Sequence, residues 1–299
     1  MKIGITLPQF GTQATKENVV WLAKTAEEEH FDSLWVGERL LWPLNPQSPY
    51  PATPDGSIPI EQQIMLDPLE TLTYVAANTT KIALGTCVID MLFHNPVILA
   101  RRFATLDVLS QGRAICGLGI GWSKDEYQVS NIPFKDRGER DDVVEFKGKF
   151  YNIPASKIGP KPIQKPNLPI YVGGFGPNTS SRIVNSDADG WLGLAVGPLE
   201  YLENTLKTIK DIANKANKDP NNFDVILLTY PKIVDSKSQP TNEGQRFPLT
   251  GTIDQVGNDI QRIRQIGINH IIFAYNFIPL GRDLDKMMDI TKQLSKFAR

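Results

Sequence analysis

Charged residues placed directly after a buried strand are the first candidates for chemistry. Glu38 and Arg39 follow the apolar run SLWVG that begins at Ser33. Such a pair serves either as a rim ion pair or as the polar wall of a pocket. Trp42 and Trp122, each close to glycines or prolines, are either hydrophobic plugs or walls for a planar ligand. The stretch LGTCVIDMLFHNP, Leu84 to Pro96, carries Cys87, Val88, Asp90 and His94. Cys87 has no histidine base nearby in sequence and no ligand spacing, which makes it a poor nucleophile. The three histidines are far apart, so no metal centre is expected, and there is no G-x-S-x-G elbow. His30 reads as the end of a helix and His270 as the start of a strand, leaving His94 as the functional candidate. GLGIGWSKDEY, Gly117 to Tyr127, has alternating glycines but not the G-x-G-x-x-G spacing. Gly119 there either turns a strand tightly or admits a flat cofactor. GGFGPN, Gly173 to Asn178, lies where a strand gives way to a helix, and its backbone N–H groups could cradle a phosphate.

These candidates gain meaning from the elements that carry them. Eight short runs rich in β-branched and apolar residues recur: KIGITL, SLWVG, IALGTCVI, RAICGLG, PIYVGG, GWLGLA, DVILLTY and HIIFAY. Near-continuous apolar character is the mark of strands covered on both faces. Helical segments alternate with them. DPLE at Asp67 and TIDQ at Thr252 read as capping boxes, and Asn95-Pro96 starts a helix that Gly112 should end. Leu202, Leu206, Ile209 and Ala213 form one apolar stripe at helical spacing. Strand–helix alternation with no mid-chain linker predicts an α/β fold, a (β/α)8 TIM barrel spanning 1–299 as a single domain. Chemistry then belongs at the C-terminal strand ends, where Phe10, Glu38, Cys87, Gly119, Asp125 and Gly174 fall, followed by Tyr230, Tyr275 and Asn276. The Pro-dense residues 41–66 sit at the same end and read as a lid. Between strands four and five no amphipathic helix is visible, so the barrel is expected to be short of one helix there.

Composition narrows the partners. With 32 basic against 33 acidic residues the formal net charge is -1, which offers no field for nucleic acid or an anionic membrane. Small-molecule partners are favoured. The apolar runs are too short to span a bilayer and the start reads as a strand rather than a signal peptide. Cys87 and Cys116, both in strand-like runs, suit reduced thiols in a cytoplasmic protein.

WVGERLLWP (Trp35 to Pro43), LDPLETLTYVAANT, LGTCVIDMLFHNPVILARRFATLD, GRAICGLGIGWSKDEY, IGPKPIQKP, PIYVGGFGP and DGW occur together in this order. Taken together they resemble the bacterial luciferase-like flavin and deazaflavin oxidoreductases, in particular the branch dependent on coenzyme F420. The resemblance implies a cis peptide between Cys87 and Val88 that forms a shelf for the ring system. It implies cofactor contacts at Glu38, Cys87, Val88, Asp90, Gly119 and Asp125, with phosphate binding at Gly174, Phe175 and Gly176. Phe10, Trp42 and His94 would line the substrate pocket. Sugar-phosphate dehydrogenases of this family carry a His–Glu acid–base pair where this chain has Arg39 and Trp122, so that reaction is not assigned and these two become the candidate catalytic residues. The expected activity is hydride transfer between F420 and a small organic substrate. Alternatives are an FMN-dependent monooxygenase and a non-catalytic flavin-binding homologue. Relatives carry a helix where Arg140 runs almost straight into VEFKGKFY, so either another subunit, in a homodimer or higher homo-oligomer, covers the bare flank or the fold there is rearranged.

Overall fold

A computed structural model describes residues 1–134, 159–195, 197–234 and 246–299. Eight strands lie in chain order: β1 (Lys2–Thr6), β2 (Ser33–Val36), β3 (Ala83–Thr86, continued by Ile89–Asp90), β4 (Ala114–Gly119), β5 (Ile170–Gly173), β6 (Gly190–Leu194), β7 (Asp224–Thr229) and β8 (His270–Phe273). Every neighbouring pair is parallel. The ring closes because β8 pairs with β1 (His270 opposite Lys2) and β3 pairs with β4 (Leu84 opposite Ala114). All eight strands fall on the runs expected to form them. A short ladder, Lys232–Ile233 with Thr250–Gly251, stands outside the barrel.

Helices α1 (Lys16–Glu28), α2 (Pro68–Ala76), α3 (Pro96–Leu109), α4 (Lys124–Val129), α5 (Pro177–Asn185), α6 (Glu200–Lys215), α7 (Ile253–Ile266) and α8 (Leu284–Ala298) follow the strands. Their caps explain their limits. Thr252 and Gln255 form the reciprocal capping box at α7. At α2 only half of that device is present: Asp67 accepts from Leu69 N–H and Glu70 N–H, but Glu70 turns to Arg102 at 2.6 Å. The α3 end differs by one residue from expectation. Gln111, not Gly112, is the first left-handed residue (φ 59°), and Gly112 N–H donates to Asp107 O at 2.8 Å to complete a Schellman turn.

The helix expected to be missing between β4 and β5 concerns residues 135–158, which lie outside the described residues. Within them, α4 occupies what read as loop. Its six residues are too few to display a helical period, and Ser123 Oγ caps it by accepting Glu126 N–H.

Two apolar clusters form the core. One fills the barrel interior around Trp35, Tyr171, Leu192, Ile226 and Ile272; the other lies between strands and helices. Inside the barrel, Trp35 Nε1 donates to Ser33 Oγ at 2.7 Å, and Ser33 Oγ lies 2.7 Å from His270 Nε2. Burial pushes the His270 imidazole down to about 3, so it is a neutral partner in this core. Among the described residues no helix is long and apolar enough to cross a membrane.

Candidate active site

The C-terminal strand ends open into a cavity of about 430 Å³, lined by residues from the strand ends, the strap 41–66 and the start of α5. Its geometry begins with Gln9, a fully buried amide. Gln9 Nε2 donates to Gly37 O and Leu66 O, each at 3.0 Å, and its Oε1 accepts the Gly37 N–H. One side chain thereby locks the ends of β1, β2 and the strap together. Glu38 and Arg39 leave that lock in defined directions.

Glu38 Oε2 accepts the Asp90 N–H at 2.8 Å, and Glu38 Oε1 lies 2.7 Å from His94 Nε2. Arg39 Nη1 donates to Glu126 Oε2 at 2.9 Å, while Glu126 Oε1 accepts Leu40 N–H at 2.7 Å. The Arg39 guanidinium lies 4.4 Å from the centre of the Trp122 ring, a cation–π stack. Arg39 is 7% exposed, and its Nε and Nη2 have no hydrogen-bond partner among the described residues. A buried guanidinium with spare donors is costly unless something accepts from them.

Val88 makes the floor. The Cys87–Val88 peptide is cis, as the resemblance implied, and Val88 O accepts Glu38 N–H at 3.1 Å. Gly119 and Gly173 flank the Val88 side chain so closely that a Cβ at either would lie 2.5 Å from one of its methyl groups. Facing this floor, Tyr50 from the strap meets Trp122 with ring centres 5.3 Å apart, and Phe10 meets Phe277 at 4.9 Å. The strap is held by α4: Asp125 accepts from Gln47 N at 3.0 Å and Gln47 Nε2 at 3.1 Å, and Lys124 N–H donates to Ser48 Oγ.

Electrostatics separate the carboxyl groups. Burial, then the charges of Glu126 and Glu38, push Asp90 up to about 8. Burial also raises Glu126, against the opposing pull of Arg39. Burial holds the Cys87 thiol up at about 12, so no thiolate forms near neutrality. Tyr50 and Tyr230 are both raised by burial and hydrogen-bond each other.

Ten of the candidates from sequence meet on this cavity: Phe10, Glu38, Arg39, Cys87, Val88, Asp90, Gly119, Trp122, Gly174 and Phe175. Four do not line it. Asp125 holds the strap instead of facing the cavity, since α4 turns it outward. His94 stands behind Glu38, Trp42 buries its Nε1 elsewhere with no partner among the described residues, and Gly176 is the exposed N-cap of α5. Tyr275, though at a strand end, points away and accepts from Thr291 Oγ1 on α8. Tyr230 and Asn276, named as strand ends, also line it, and the structure adds Tyr50, Gln62 and Phe277, with Glu126 behind. Tyr50 and Gln62 sit in an aperiodic strap that carries no positional signal.

Comparison with known proteins now decides the family. The model of the family described as "Luciferase-like monooxygenase" matches residues 1–249. The chain belongs to the luciferase-like oxidoreductase family. Among its luciferase-like relatives, an uncharacterised protein of Mycobacterium tuberculosis is 31% identical over 257 residues, covering 79% of this chain and 88% of that protein. An F420-dependent glucose-6-phosphate dehydrogenase of Amycolatopsis mediterranei is 29% identical over 280 residues, covering 85% and 76%. In fold, the chain is similar to an F420-dependent secondary alcohol dehydrogenase solved with an F420–acetone adduct (TM-score 0.76, 19% identity, 100% and 99% coverage).

Proposed function

We propose that this luciferase-like protein moves a hydride between a bound deazaflavin, coenzyme F420, and a small organic substrate. The observation that carries the reading is the Val88 shelf. A bare floor between Gly119 and Gly173, facing aromatic walls across a cavity of about 430 Å³, suits a flat heteroaromatic ring. The donor set fits as well. Val88 would support the ring, and Gly174 and Phe175, on the run into α5, would hold its phosphate with backbone N–H groups. When bound, a deazaflavin supplies two-electron hydride chemistry.

The chain's own residues do the rest. Arg39 lines the cavity with its guanidinium 4.4 Å from the centre of the Trp122 ring, and would place positive charge beside a substrate oxygen. Glu126 balances the Arg39 charge, which favours a neutral oxygen such as a carbonyl over a second anion. Tyr50, Pro51, Ala52 and Gln62 of the strap form one wall of the cavity, and a substrate that displaces water there would strengthen the polar contacts inside. Curated relatives named as F420-dependent support the deazaflavin over FMN.

The second reading is an FMN-dependent monooxygenase, favoured by the family's own description. Titrating the purified protein with oxidised and reduced F420 and FMN, with fluorescence as readout, separates the two. Tight binding of F420 with weak binding of FMN is the expected result. Binding of reduced FMN alone would establish the second reading, and binding of neither would remove both.

A further inference from the structure

Three carboxyl groups meet beside the floor of the cavity, Glu38, Asp90 and Glu126, and their partners are unequal. Glu126 has the Arg39 guanidinium at 2.9 Å, and Glu38 has His94 at 2.7 Å together with the Asp90 N–H. Asp90 has no cationic side chain in contact among the described residues. It is 6% exposed, yet it lines the cavity. A Cβ at Gly119 would lie 3.1 Å from Asp90 Oδ1 and 2.5 Å from Val88, so the carboxyl borders the shelf itself. Its other oxygen, Oδ2, faces Gly121.

An ionised carboxylate in that place would offer only acceptors, whereas a neutral carboxyl adds an O–H donor. The groups facing it decide between the two. From the end of β2 come Glu38 and Arg39, from α4 Glu126, and from the turn after β4 the Gly121 N–H, while His94, from the turn before α3, stands behind Glu38. Arg39 and the Gly121 N–H favour the ionised form; burial, Glu126 and Glu38 oppose it and prevail.

We propose that Asp90 binds the cofactor as a neutral carboxylic acid, donating its O–H to an acceptor on the ring edge, and that ionising Asp90 releases the cofactor. This rests on the cofactor reading above. Flavins and deazaflavins share a carbonyl-bearing ring edge, so the same donor serves either.

The test measures the dissociation constants of F420 and of FMN from pH 6 to pH 9.5 for the wild type, Asp90→Asn and Asp90→Ala. Melting curves at each pH verify that every variant is folded. With a carboxyl titrating at about 8, wild-type affinity for the bound cofactor should fall about thirtyfold between pH 7 and pH 9.5. Asp90→Asn keeps a donor without a titrating proton, so its affinity should stay level across that range. Asp90→Ala should bind about tenfold more weakly than wild type at pH 7, with no pH dependence. A wild-type affinity constant with pH, or an Asp90→Asn curve falling in parallel with wild type, overturns the proposal, as does wild-type affinity in Asp90→Ala. If neither cofactor binds wild type at any pH, the cofactor reading fails first and this inference falls with it.

Discussion

Arg39 is a buried guanidinium whose carboxylate partner among the described residues, Glu126, is itself fully enclosed. Removing one member of such a pair strands the other charge, whereas removing both for apolar groups is often neutral. Glu126→Gln should therefore cost about 3–5 kcal/mol in urea unfolding, and the double change Arg39→Met with Glu126→Leu should recover most of it. A loss in Glu126→Gln well under 1 kcal/mol would mean the pair is hydrated. The two cysteines make a second prediction: at pH 8 Ellman's reagent should react far more slowly with the folded protein than with the unfolded chain, since Cys116 is buried and Cys87, half-buried on the cavity wall, is held up at about 12. Cys87→Ser should leave cofactor affinity unchanged. Arg39 was legible as a charge after a buried strand. Glu126 was not, because nothing in KDEY says which of two adjacent acids turns inward; α4 points Glu126 in and Asp125 out.

At the scale of elements, the ends of β4 and β5 act together through their glycines. A methyl group added at Gly173 would collide with Val88 at 2.5 Å and crowd Leu118 O at 3.2 Å. Gly173→Ala should lower stability by about 1–3 kcal/mol, as overpacking does, and should weaken cofactor binding by displacing the floor. A variant with wild-type melting temperature and affinity would show that Val88 has room to yield. Strands and most caps were readable, because apolar runs and Asp-Pro, Asn-Pro or Thr-x-x-Gln signals are local. The α3 terminus moved by one residue because Gln111 tolerates a left-handed backbone where glycine was expected to be needed. The strap was recognised only as a segment; which of its side chains face inward depends on α4 and Gln9, far away in sequence.

For the whole molecule, the barrel interior couples β2 to β8 through Ser33 and His270. The imidazole titrates at about 3 in the folded protein and near its ordinary 6.5 when unfolded, so the unfolded chain takes up the proton first. Stability supplied by the neutral form is complete above pH 6.5 and is lost as the pH falls toward 3, by on the order of 4 kcal/mol. His270→Gln, which keeps a hydrogen-bonding group without this titration, should flatten the acid side of a stability-versus-pH curve. An unchanged acid side would place the sensitivity elsewhere.

What the sequence determined by itself was the alternation of strands and helices, the strand ends at which the cavity opens, and a part of the cavity wall. These follow from patterns local to each element, namely apolar runs, caps, and the type of residue that ends a strand. Only the tertiary structure decided that Tyr50 and Gln62 line the cavity with Glu126 behind it, that Asp125 and Tyr275 turn away from it, and that Asp90 has no cationic side chain in contact among the described residues. Those outcomes depend on which groups from distant segments share a low-dielectric space, and the residue sequence does not encode that distance in any local pattern.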